Sequence, residues 1–502
     1  MRVELDVDAR RYDGGRVLVG GVPSTLMRLS AKGASTLAEL LESGGDLREV
    51  SPAAAAFAER LVGAAMLHPV TDVDDLSTDV GAQVTVVVPA RDRIAELDRC
   101  LRSLRRSSHS ALIVVDDAST DATGHREVAE RHGAQLVRLD RQGGPALARN
   151  AGLAEVSTEF VAFVDSDIEV TADWLGPLVA LLAADRCDLV APRIVAPAGP
   201  TSVAARYEYA NSPLDMGPRR GVVVAGSRLS YVPAATLVAR TSVVREVGGF
   251  DVMLAVGEDV DLVWRLAARG HRVRYEPAST VVHHHRELLA AMLARRVAYG
   301  TSAALLDERH AGVLAPVRVA AADAAAVGAA ASGHPVVALA ATVIEWRRLS
   351  RTLEHLYEPG LTAARLVARR QFWSWRQLAR AFIRPWWPIV LPLAFGNRRM
   401  RRVVIAGSLV TPLLEYRRRR PRLDVGRWTL LWLADDAAYS AGVWWGCLRS
   451  RRLGPLLPST HAQWGAREQR GSVAGEPSSA SPTDRSLNGS VPPDDTRSNG
   501  QN

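Results

Sequence analysis

The sequence predicts an α/β protein, with an open and mainly parallel sheet that carries helices on both faces. Apolar runs of strand length alternate with helical segments over residues 83–310, which is typical of a parallel sheet covered on both sides. We expect a small α+β unit before this stretch and a helical region after it. The length of 502 residues agrees with this division, because it exceeds that of one ordinary domain.

The first predicted unit covers residues 1–75. The segment RVLVGGVPSTLMRLS is typical of two extended pieces that meet at a Gly-Gly turn. Ser30 is a candidate cap for a following helix, and Ser51-Pro52 begins another, since proline is favoured at the first helical position. A hairpin with two small helices indicates a winged-helix-like unit, and a purely structural cap is the alternative. Residues 76–82 are predicted to be a linker.

The central unit, residues 83–310, contains four apolar runs that are predicted to be successive strands: VTVVVPA, ALIVVDD, AQLVRLD and FVAFVDSD. Ligands of open α/β sheets bind beyond the carboxyl ends of the strands. The side chains at those ends are therefore candidates for a binding site. They are Pro89, Asp116, Asp117, Asp165 and Asp167.

The aspartates at the end of FVAFVDSD pose an electrostatic question. Asp165 and Asp167 carry like charges close together, and such charges repel unless a cation, or a group that carries one, lies between them. The tripeptide D-x-D is common by chance, but its position after a buried strand makes it more specific. We therefore expect a cation at this strand end.

Two further pairs point to a nucleotide. Asp116 or Asp117 could accept a hydrogen bond from the NH of a pyrimidine base, and either could instead cap the next helix. Arg149 and Asn150 lie on a predicted helix near the same edge, where they could meet an acidic nucleotide.

Three acidic residues open a predicted helix in GEDVDLVWRL: Glu258, Asp259 and Asp261. Negative charge at a helix N-terminus is stabilising, which is the structural explanation. Their mutual repulsion could also keep one carboxylate basic enough to take a proton. Three consecutive histidines follow in VVHHHR, and an imidazole aimed at the cation would complete an Asp and His site for Mn²⁺ or Mg²⁺.

Composition argues against some partners. The net charge is +8 and Lys32 is the one lysine, so the abundant arginine of this alanine-rich chain indicates codon bias rather than a nucleic-acid partner. The three cysteines are far apart and lack a metal-binding spacing. The N-terminal MRVELDVDAR is charged and without an apolar stretch, so we expect no secretory signal and a cytoplasmic protein.

Residues 311–465 are predicted to be helical. Residues 324–344 carry no charge for 21 positions, a length that could span a bilayer, but 333–335 (Gly-His-Pro) interrupt them. The shorter runs PWWPIVLPLAF and VVIAGSLVTPLL lie beside arginine clusters, which suits a membrane interface. We expect peripheral membrane contact; anchoring in the cytoplasmic membrane and a soluble helical domain are the alternatives. Residues 466–502 are expected to be disordered.

Eight motifs of the central unit occur in the order and spacing of family 2 inverting glycosyltransferases with the GT-A fold. They are VVVPARDR, VVDDASTD, ARNAGL, FVDSD, GGFD, GEDVDLVWRL, the glycine of ARGHRVRYEP and the histidines of VVHHHR. The chain resembles this family over about residues 82–300. The resemblance implies an enzyme, a hexosyltransferase with a UDP-sugar donor.

For the donor, the resemblance implies that Asp117, with Asp116 beside it, holds the uracil in a pocket lined by Pro89 and Arg91. It implies that Asp165 contacts the ribose or the metal. It also implies that Asp167, Asp165 and His283 bind the metal, with His285 as the alternative to His283.

For the reaction, the resemblance implies that Asp259 is the general base and that Glu258 positions the acceptor. Asp259 would take a proton from an acceptor hydroxyl, which attacks the anomeric carbon from behind and inverts it. Processive members such as cellulose synthases carry a Q-x-x-R-W motif. Here residues 371–375 have serine in place of its arginine, so long-chain polymerisation is not expected.

The flanking regions resemble the glycosyltransferases of mycofactocin biosynthesis, which add glucose to a redox cofactor derived from a ribosomal peptide. The segments are RRVAYGTSAALLDERH, RPWWPIVLPLAF and DDAAYSAGVWWGCLRSRR. Residues 1–75 resemble the small peptide-recognition domains related to PqqD. The resemblance implies glucose transfer to a peptide-derived acceptor, in one or several units. Two alternatives stay open: a lipid or polyprenyl-phosphate acceptor, and a peptide-binding scaffold with a degenerate transferase domain.

Overall fold

The computed structural model of the chain describes residues 2–22, 24–70, 83–284 and 288–458. The predicted linker over 76–82, the predicted tail over 466–502 and His285 lie outside these residues. Within them, the α/β class expected from the sequence is confirmed, with a small α+β unit in front and a run of helices behind.

The N-terminal unit contains two small antiparallel sheets and two helices. β1 (Arg2–Leu5) pairs with β5 (Leu67–Val70), and the second sheet is formed by β2 (Arg10–Tyr12), β3 (Val17–Gly20) and β4 (Thr25–Arg28). The helices are α1 (Ala31–Glu42) and α2 (Pro52–Gly63). Both begin at the predicted caps, because Ser30 accepts a hydrogen bond from the Gly33 amide and Ser51 from the Ala54 amide.

This unit packs against both regions that follow it. The buried His68 imidazole lies 2.7 Å from the Asp6 carboxylate and 3.0 Å from the Arg274 guanidinium of the central unit. On its other side, apolar residues of β3 pack on the C-terminal helices in a shared core of Val17, Val19, Leu353, Ala363 and Leu366. The three regions therefore contact one another directly.

The central unit is built on a nine-stranded sheet. Its strands are β6 (Val84–Ala90), β7 (Ala111–Asp116), β8 (Gln135–Arg138), β9 (Phe160–Val164), β10 (Ile168–Val170), β11 (Leu189–Val195), β12 (Gly221–Val222), β13 (Thr236–Arg240) and β14 (Val273–His283). Their order is β10-β14-β11-β13-β9-β6-β7-β8, with β12 on β14. The β8-β7-β6-β9 portion is parallel, as expected. The sheet as a whole is mixed rather than mainly parallel, because β13 runs antiparallel to both β9 and β11.

Helices cover both faces of this sheet. They are α3 (Ile94–Leu104), α4 (Ala122–Arg131), α5 (Gly144–Glu155), α6 (Gly176–Ala183), α7 (Val203–Asn211), α8 (Thr241–Glu246) and α9 (Glu258–Ala268). Alternate residues of β6 enter different cores, since Val86 and Val88 belong to one and Val87 to the other. This is the burial pattern of a strand covered on both sides.

The C-terminal region is helical, as predicted. Its helices, counted from the end of the central unit, are α10 (Leu289–Arg309), α11 (Ala321–Ala331), α12 (Pro335–Thr352), α13 (Pro359–Ile383), α14 (Trp387–Gly396), α15 (Arg398–Arg419) and α16 (Val425–Ser450). The uncharged stretch 324–344 is divided between α11 and α12 by a break at 332–334, and Pro335 is the first residue of α12. Among the helices in the described part of the chain, none combines the length and the apolar character needed to cross a membrane.

Glycines bring α10 and α16 into backbone contact. A Cβ atom on Gly300 would lie 2.2 Å from the Tyr439 carbonyl oxygen, and one on Gly442 would lie 2.0 Å from that of Val297. No larger residue fits at either position without separating the helices. The long helix α16 is thereby held tightly to α10, the helix that follows β14.

Candidate active site

The carboxylates at the end of β7 are buried and already hydrogen-bonded within the protein. Asp116 accepts a hydrogen bond from the Ser119 amide at 2.9 Å and is paired with Arg138. Asp117 accepts hydrogen bonds from the two amides of residues 143–144, at 2.6 and 2.9 Å. Asp117 therefore fixes the start of α5, whereas the next helix along the chain, α4, is capped by Asp121, so the predicted capping of the next helix by Asp116 or Asp117 is wrong. The predicted contact of these aspartates with uracil stays a prediction.

The end of β6 places a cation near the second aspartate pair. Pro89 is buried in the strand, whereas the Arg91 side chain is largely exposed at the sheet edge. The next two residues, Asp92 and Arg93, both adopt left-handed conformations, with φ of 53° and 52°. After this turn, the Arg93 guanidinium lies 3.4 Å from the Asp167 carboxylate.

Arg149 connects the two halves of the site. Its guanidinium is 3% exposed and donates to Asp165 at 2.6 Å and to Glu258 at 2.9 Å. It also lies over the Phe250 ring, 5.3 Å from the ring centre. Burial alone would lower the pKa of Arg149, but the charges of the two carboxylates raise it. Arg149 thus bridges the strand end after β9 and the start of α9, and its predicted contact with a nucleotide stays a prediction.

Asn150 fixes the turn that leads toward α9. Its side-chain amide donates to the Phe250 carbonyl at 2.7 Å and accepts from the Phe250 amide at 2.9 Å. A Cβ atom on Gly249 would lie 2.5 Å from the Asn150 oxygen, and Gly249 has a φ of 68°. The GGF motif therefore turns tightly against α5. In this position Asn150 contacts the backbone, and its role toward the nucleotide stays a prediction.

Asp165 and Asp167 differ in their surroundings. Burial, together with the charge of Asp167, raises the pKa of Asp165. For Asp167, burial is opposed by a hydrogen bond from His283 and by the charges of His283 and Arg93, which lower its pKa to about 2. The His283 Nε2 atom lies 3.4 Å from the Asp167 carboxylate because β10 and β14 pair with Ile168 opposite His283. The structure therefore brings together the carboxylate and the imidazole that the sequence analysis combined.

The side chains of Asp167 and His283 are of the types that bind divalent metal ions. Carboxylate oxygen and imidazole nitrogen are ligands of Mn²⁺, and both Asp167 and His283 keep part of their surface exposed. Within the described ranges, no cluster of three or more metal-ligating side chains is present. Mg²⁺ is commonly held by one or two protein ligands together with water and substrate phosphates, so two ligands fit a metal that arrives with a diphosphate.

The acidic residues at the start of α9 have three different environments. Asp259 is partly exposed, and its carboxylate accepts hydrogen bonds from the Ala234 amide at 3.1 Å and the Val260 amide at 2.8 Å. Glu258 is buried on Arg149, and burial together with the charge of Asp259 raises its pKa. Asp261 is buried between Arg265 and His310. Asp259 is thus the one of the three with an accessible carboxylate that is not in an ion pair.

Several residues around this site were missed in the sequence analysis. Burial and the neighbouring charge of Asp259 raise the pKa of Tyr231, which lies in the loop before β13. Arg295 of α10 lies over the Tyr299 ring at 4.9 Å, in the field of Asp165 and Glu258. The only signal for Arg295 was its place in the quoted segment RRVAYG, and no pattern marked Tyr231.

The similarity of this chain to known proteins shows the class to which it belongs. The family model described as glycosyl transferase family 2 matches residues 85–242. A relative from Mycobacterium tuberculosis (strain CDC 1551 / Oshkosh) is 37% identical over 468 residues, which are 91% of this chain and 97% of the relative. The chain therefore belongs to family 2 of the glycosyltransferases, and the resemblance described from its motifs is confirmed.

The relative from M. tuberculosis is named pre-mycofactocin glycosyltransferase. Glycosyltransferase AglE of Haloferax volcanii is 27% identical over 203 residues, 38% of this chain and 64% of that protein. Among solved structures, the mannosyltransferase PcManGT from Pyrobaculum calidifontis, in complex with GDP-Man and Mn²⁺, has 20% identity and a TM-score of 0.36 over 59% of this chain and 87% of that one.

Replacing Arg149 tests how much its ion pairs with Asp165 and Glu258 stabilise the folded protein. Arg149→Met leaves the buried Glu258 and the partly buried Asp165 without their cation, so we expect a loss of about 3 kcal/mol in the free energy of unfolding. The pKa values of both carboxyl groups, which are already raised in the folded protein, would then rise further. The loss should be largest at neutral pH, shrink as the pH falls through these raised values, and level off below the ordinary carboxyl pKa of about 4.

Urea denaturation followed by circular dichroism measures this loss at several pH values. The matched control is Arg126→Met, because Arg126 is exposed on α4 and should change stability by less than about 0.5 kcal/mol. Equal stability of the two variants would show that the bridge is dispensable.

Proposed function

We propose that this glycosyltransferase moves a hexose, namely glucose, from a UDP-sugar to a mycofactocin-type acceptor derived from a ribosomal peptide, with inversion at the anomeric carbon. One observation carries the proposal. Arg149 ties Asp165 to Glu258, so the Asp165 and Asp167 pair and the accessible Asp259 belong to the two segments that this bridge joins, which supports a common site for them. The identity with the M. tuberculosis relative supports the acceptor class.

Asp259 is suited to act as the general base. Its two backbone hydrogen bonds orient the carboxylate, and the adjacent Glu258 is held in an ion pair with Arg149. The carboxylate takes the proton of an acceptor hydroxyl as the oxygen attacks the anomeric carbon. Because Glu258 is buried against Arg149, it orients the start of α9, and through Asp259 it positions the acceptor indirectly.

The opposite side of the pocket receives the leaving diphosphate. A Mn²⁺ or Mg²⁺ ion held there would supply Lewis-acid stabilisation of the departing charge. Asp167 and His283 are the residues that would hold it, with Asp165 toward the ribose. Arg93 and Arg295 lie near this carboxylate pair and add positive charge where the diphosphate would lie.

The N-terminal unit is suited to present the acceptor. It contacts the central unit through His68 and Arg274 and the C-terminal helices through β3. We propose that it binds the peptide part of the acceptor, and that the reaction takes place in the cytoplasm.

A lipid or polyprenyl-phosphate acceptor at a membrane surface is the second candidate. The C-terminal helices expose an unusual number of large apolar side chains, which include Val336, Leu339, Ile344, Leu393, Phe395, Ile405 and Leu414. Exposed arginines such as Arg401 and Arg417 lie on α15, the helix that also carries Ile405 and Leu414. Apolar surface beside arginine favours contact with anionic lipid headgroups.

Replacing the proposed base tests the leading function. Asp259→Asn should lower transfer by about 10²–10⁴-fold, because the amide cannot take the proton. Binding of UDP, measured by calorimetry, should be retained. Products are detected by mass spectrometry after incubation of the wild-type protein with a panel of nucleotide sugars and the candidate peptide.

Glu246→Gln is the matched control, since Glu246 is an exposed acid of α8 that should leave transfer unchanged. Full transfer by Asp259→Asn would remove Asp259 from the mechanism. Turnover only with a lipid acceptor would decide for the second candidate, and an absence of turnover with every donor would favour the scaffold.

Metal removal tests the proposed metal ligands. Chelation by EDTA should abolish transfer, and added Mn²⁺ should restore it. Asp167→Asn should weaken Mn²⁺ binding, followed by electron paramagnetic resonance with UDP present, by about 10–100-fold. The control is Glu169→Gln on the adjacent β10, because Glu169 pairs with Arg99 and His284 instead. Undiminished activity after exhaustive chelation would contradict the metal requirement.

Vesicle flotation tests the membrane contact. The wild-type protein should float with vesicles of mixed anionic and neutral lipid, and Phe395→Glu should reduce the bound fraction by about tenfold, since burying one phenylalanine contributes about 1.5–3 kcal/mol. Met253→Glu is the control, because Met253 is equally exposed but lies in the central unit. Failure of the wild-type protein to float, or equal loss in both variants, would contradict the contact.

A further inference from the structure

The turn after β6 has an unusual backbone conformation. Asp92 and Arg93 are consecutive, and both lie in the left-handed region, with φ of 53° and 52°. Ala118, in the neighbouring turn after β7, has a φ of 53° as well. Left-handed conformations cost free energy in residues other than glycine, and they persist where surrounding contacts enforce them, often at functional sites. The contacts that enforce the turn at Asp92 therefore bear on the site.

Asp92 is held by the segment that follows β7. The Asp92 amide donates to the Ser119 Oγ atom at 2.8 Å, and the Asp92 carboxylate accepts a hydrogen bond from the Thr120 amide at 3.0 Å. The Asp92 carbonyl oxygen lies 3.0 Å from the Nε2 atom of His125. The amide, the carbonyl and the carboxylate of Asp92 are thus all in contact with one neighbouring segment, residues 119–125.

His125 is the buried anchor of this segment. Its side chain lies near the start of α4 and is fully buried. The Nδ1 atom lies 2.8 Å from the Asp121 carbonyl oxygen, and the Nε2 atom lies 3.2 Å from Ser119 Oγ as well as close to the Asp92 carbonyl. With a hydrogen on Nε2, the ring donates directly to Asp92; without it, Nε2 accepts from the Ser119 hydroxyl, whose oxygen accepts from the Asp92 amide. The ring therefore holds Asp92 in either tautomer.

The turn at Asp92 sets the position of Arg93. Arg93 directly follows Asp92, and its guanidinium lies 3.4 Å from the Asp167 carboxylate. Helix α4 also packs closely on the start of α3, because a Cβ atom on Gly124 would lie 2.5 Å from the Cδ1 atom of Ile94, the residue after Arg93. A shift of the turn at Asp92 would therefore move Arg93 relative to Asp167.

We infer that His125 is a positioning residue for the sugar donor, because it holds the turn that directs Arg93 toward the site of the diphosphate. The imidazole is fully buried, so it acts through Arg93 and not by contact with the donor. The Arg93 side chain is 42% exposed, and its guanidinium is accessible to the oxygens of a diphosphate. This inference rests on the proposed diphosphate site beside Asp167.

Two substitutions of His125 test the inference by calorimetric titration with UDP in the presence of Mn²⁺. The amide of glutamine reaches the position of Nε2 and can still bind Asp92, whereas the amide of asparagine reaches only that of Nδ1. His125→Asn should therefore weaken UDP binding by about tenfold, the effect of misplacing one charge-assisted hydrogen bond, and His125→Gln should retain most of the affinity.

His132→Asn is the matched control, because it makes the same change at the other end of α4. There it removes the contact of the buried His132 Nε2 atom with Asp98, at 2.9 Å, so it should destabilise the fold similarly and leave UDP binding unchanged. Wild-type UDP affinity in His125→Asn, shown to be folded by circular dichroism, would overturn the inference.

A double-mutant cycle distinguishes positioning from a loss of stability. Arg93→Gln alone should weaken UDP binding by about tenfold, and adding His125→Asn should weaken it little further, because His125 acts through Arg93. Additive losses would show that His125 supports the fold and not Arg93, which overturns the inference alone. A wild-type protein that does not bind UDP would contradict the proposed function itself. In kinetics, both single variants should raise the KM for the sugar donor and leave the KM for the acceptor unchanged.

Discussion

The buried ion-pair bridge through Arg149 is the interaction on which the site depends. It joins Asp165, after β9, to Glu258, at the start of α9, although the two lie far apart in the chain. A buried cation needs its carboxylate partners, because the Arg149 guanidinium and the Glu258 carboxylate have lost most of their hydration. The bridge therefore holds the segment after β9 next to the start of α9, and so fixes the backbone that carries Asp167 and Asp259.

The C-terminal helices pack directly against α10 and the central unit. Backbone contact at Gly300 and Gly442 leaves no room for α16 to shift along α10. Arg296 of α10 is buried between Glu208 and Asp435, which ties both helices to α7. Through these contacts Ala303 of α10 and Tyr439 of α16, which are more than a hundred positions apart in the chain, line one cavity.

Sequence patterns predicted the parts of this protein that depend on local rules. The strand ends at Asp116 and Asp165 and the caps at Ser30 and Ser51 were predictable, because periodicity and capping involve neighbouring residues. The antiparallel course of β13 was not, since an apolar strand buried on both faces has the same pattern in either direction. The partners of Arg149 could not be predicted either, because an ion pair over 109 positions depends on the assembled fold.

The two aspartates after β9 illustrate how one fold gives similar residues different properties. Asp165 faces a buried guanidinium, and burial together with the charge of Asp167 raises its pKa. Asp167 faces His283 and Arg93, and the hydrogen bond from His283 together with the charge of Arg93 outweighs burial and lowers its pKa to about 2. A metal ligand must be deprotonated, so Asp167 meets this condition without help from the metal. The charge of Arg149 opposes the rise in the pKa of Asp165, so the same bridge acts on the residues beside Asp167 and beside Asp259, the proposed base.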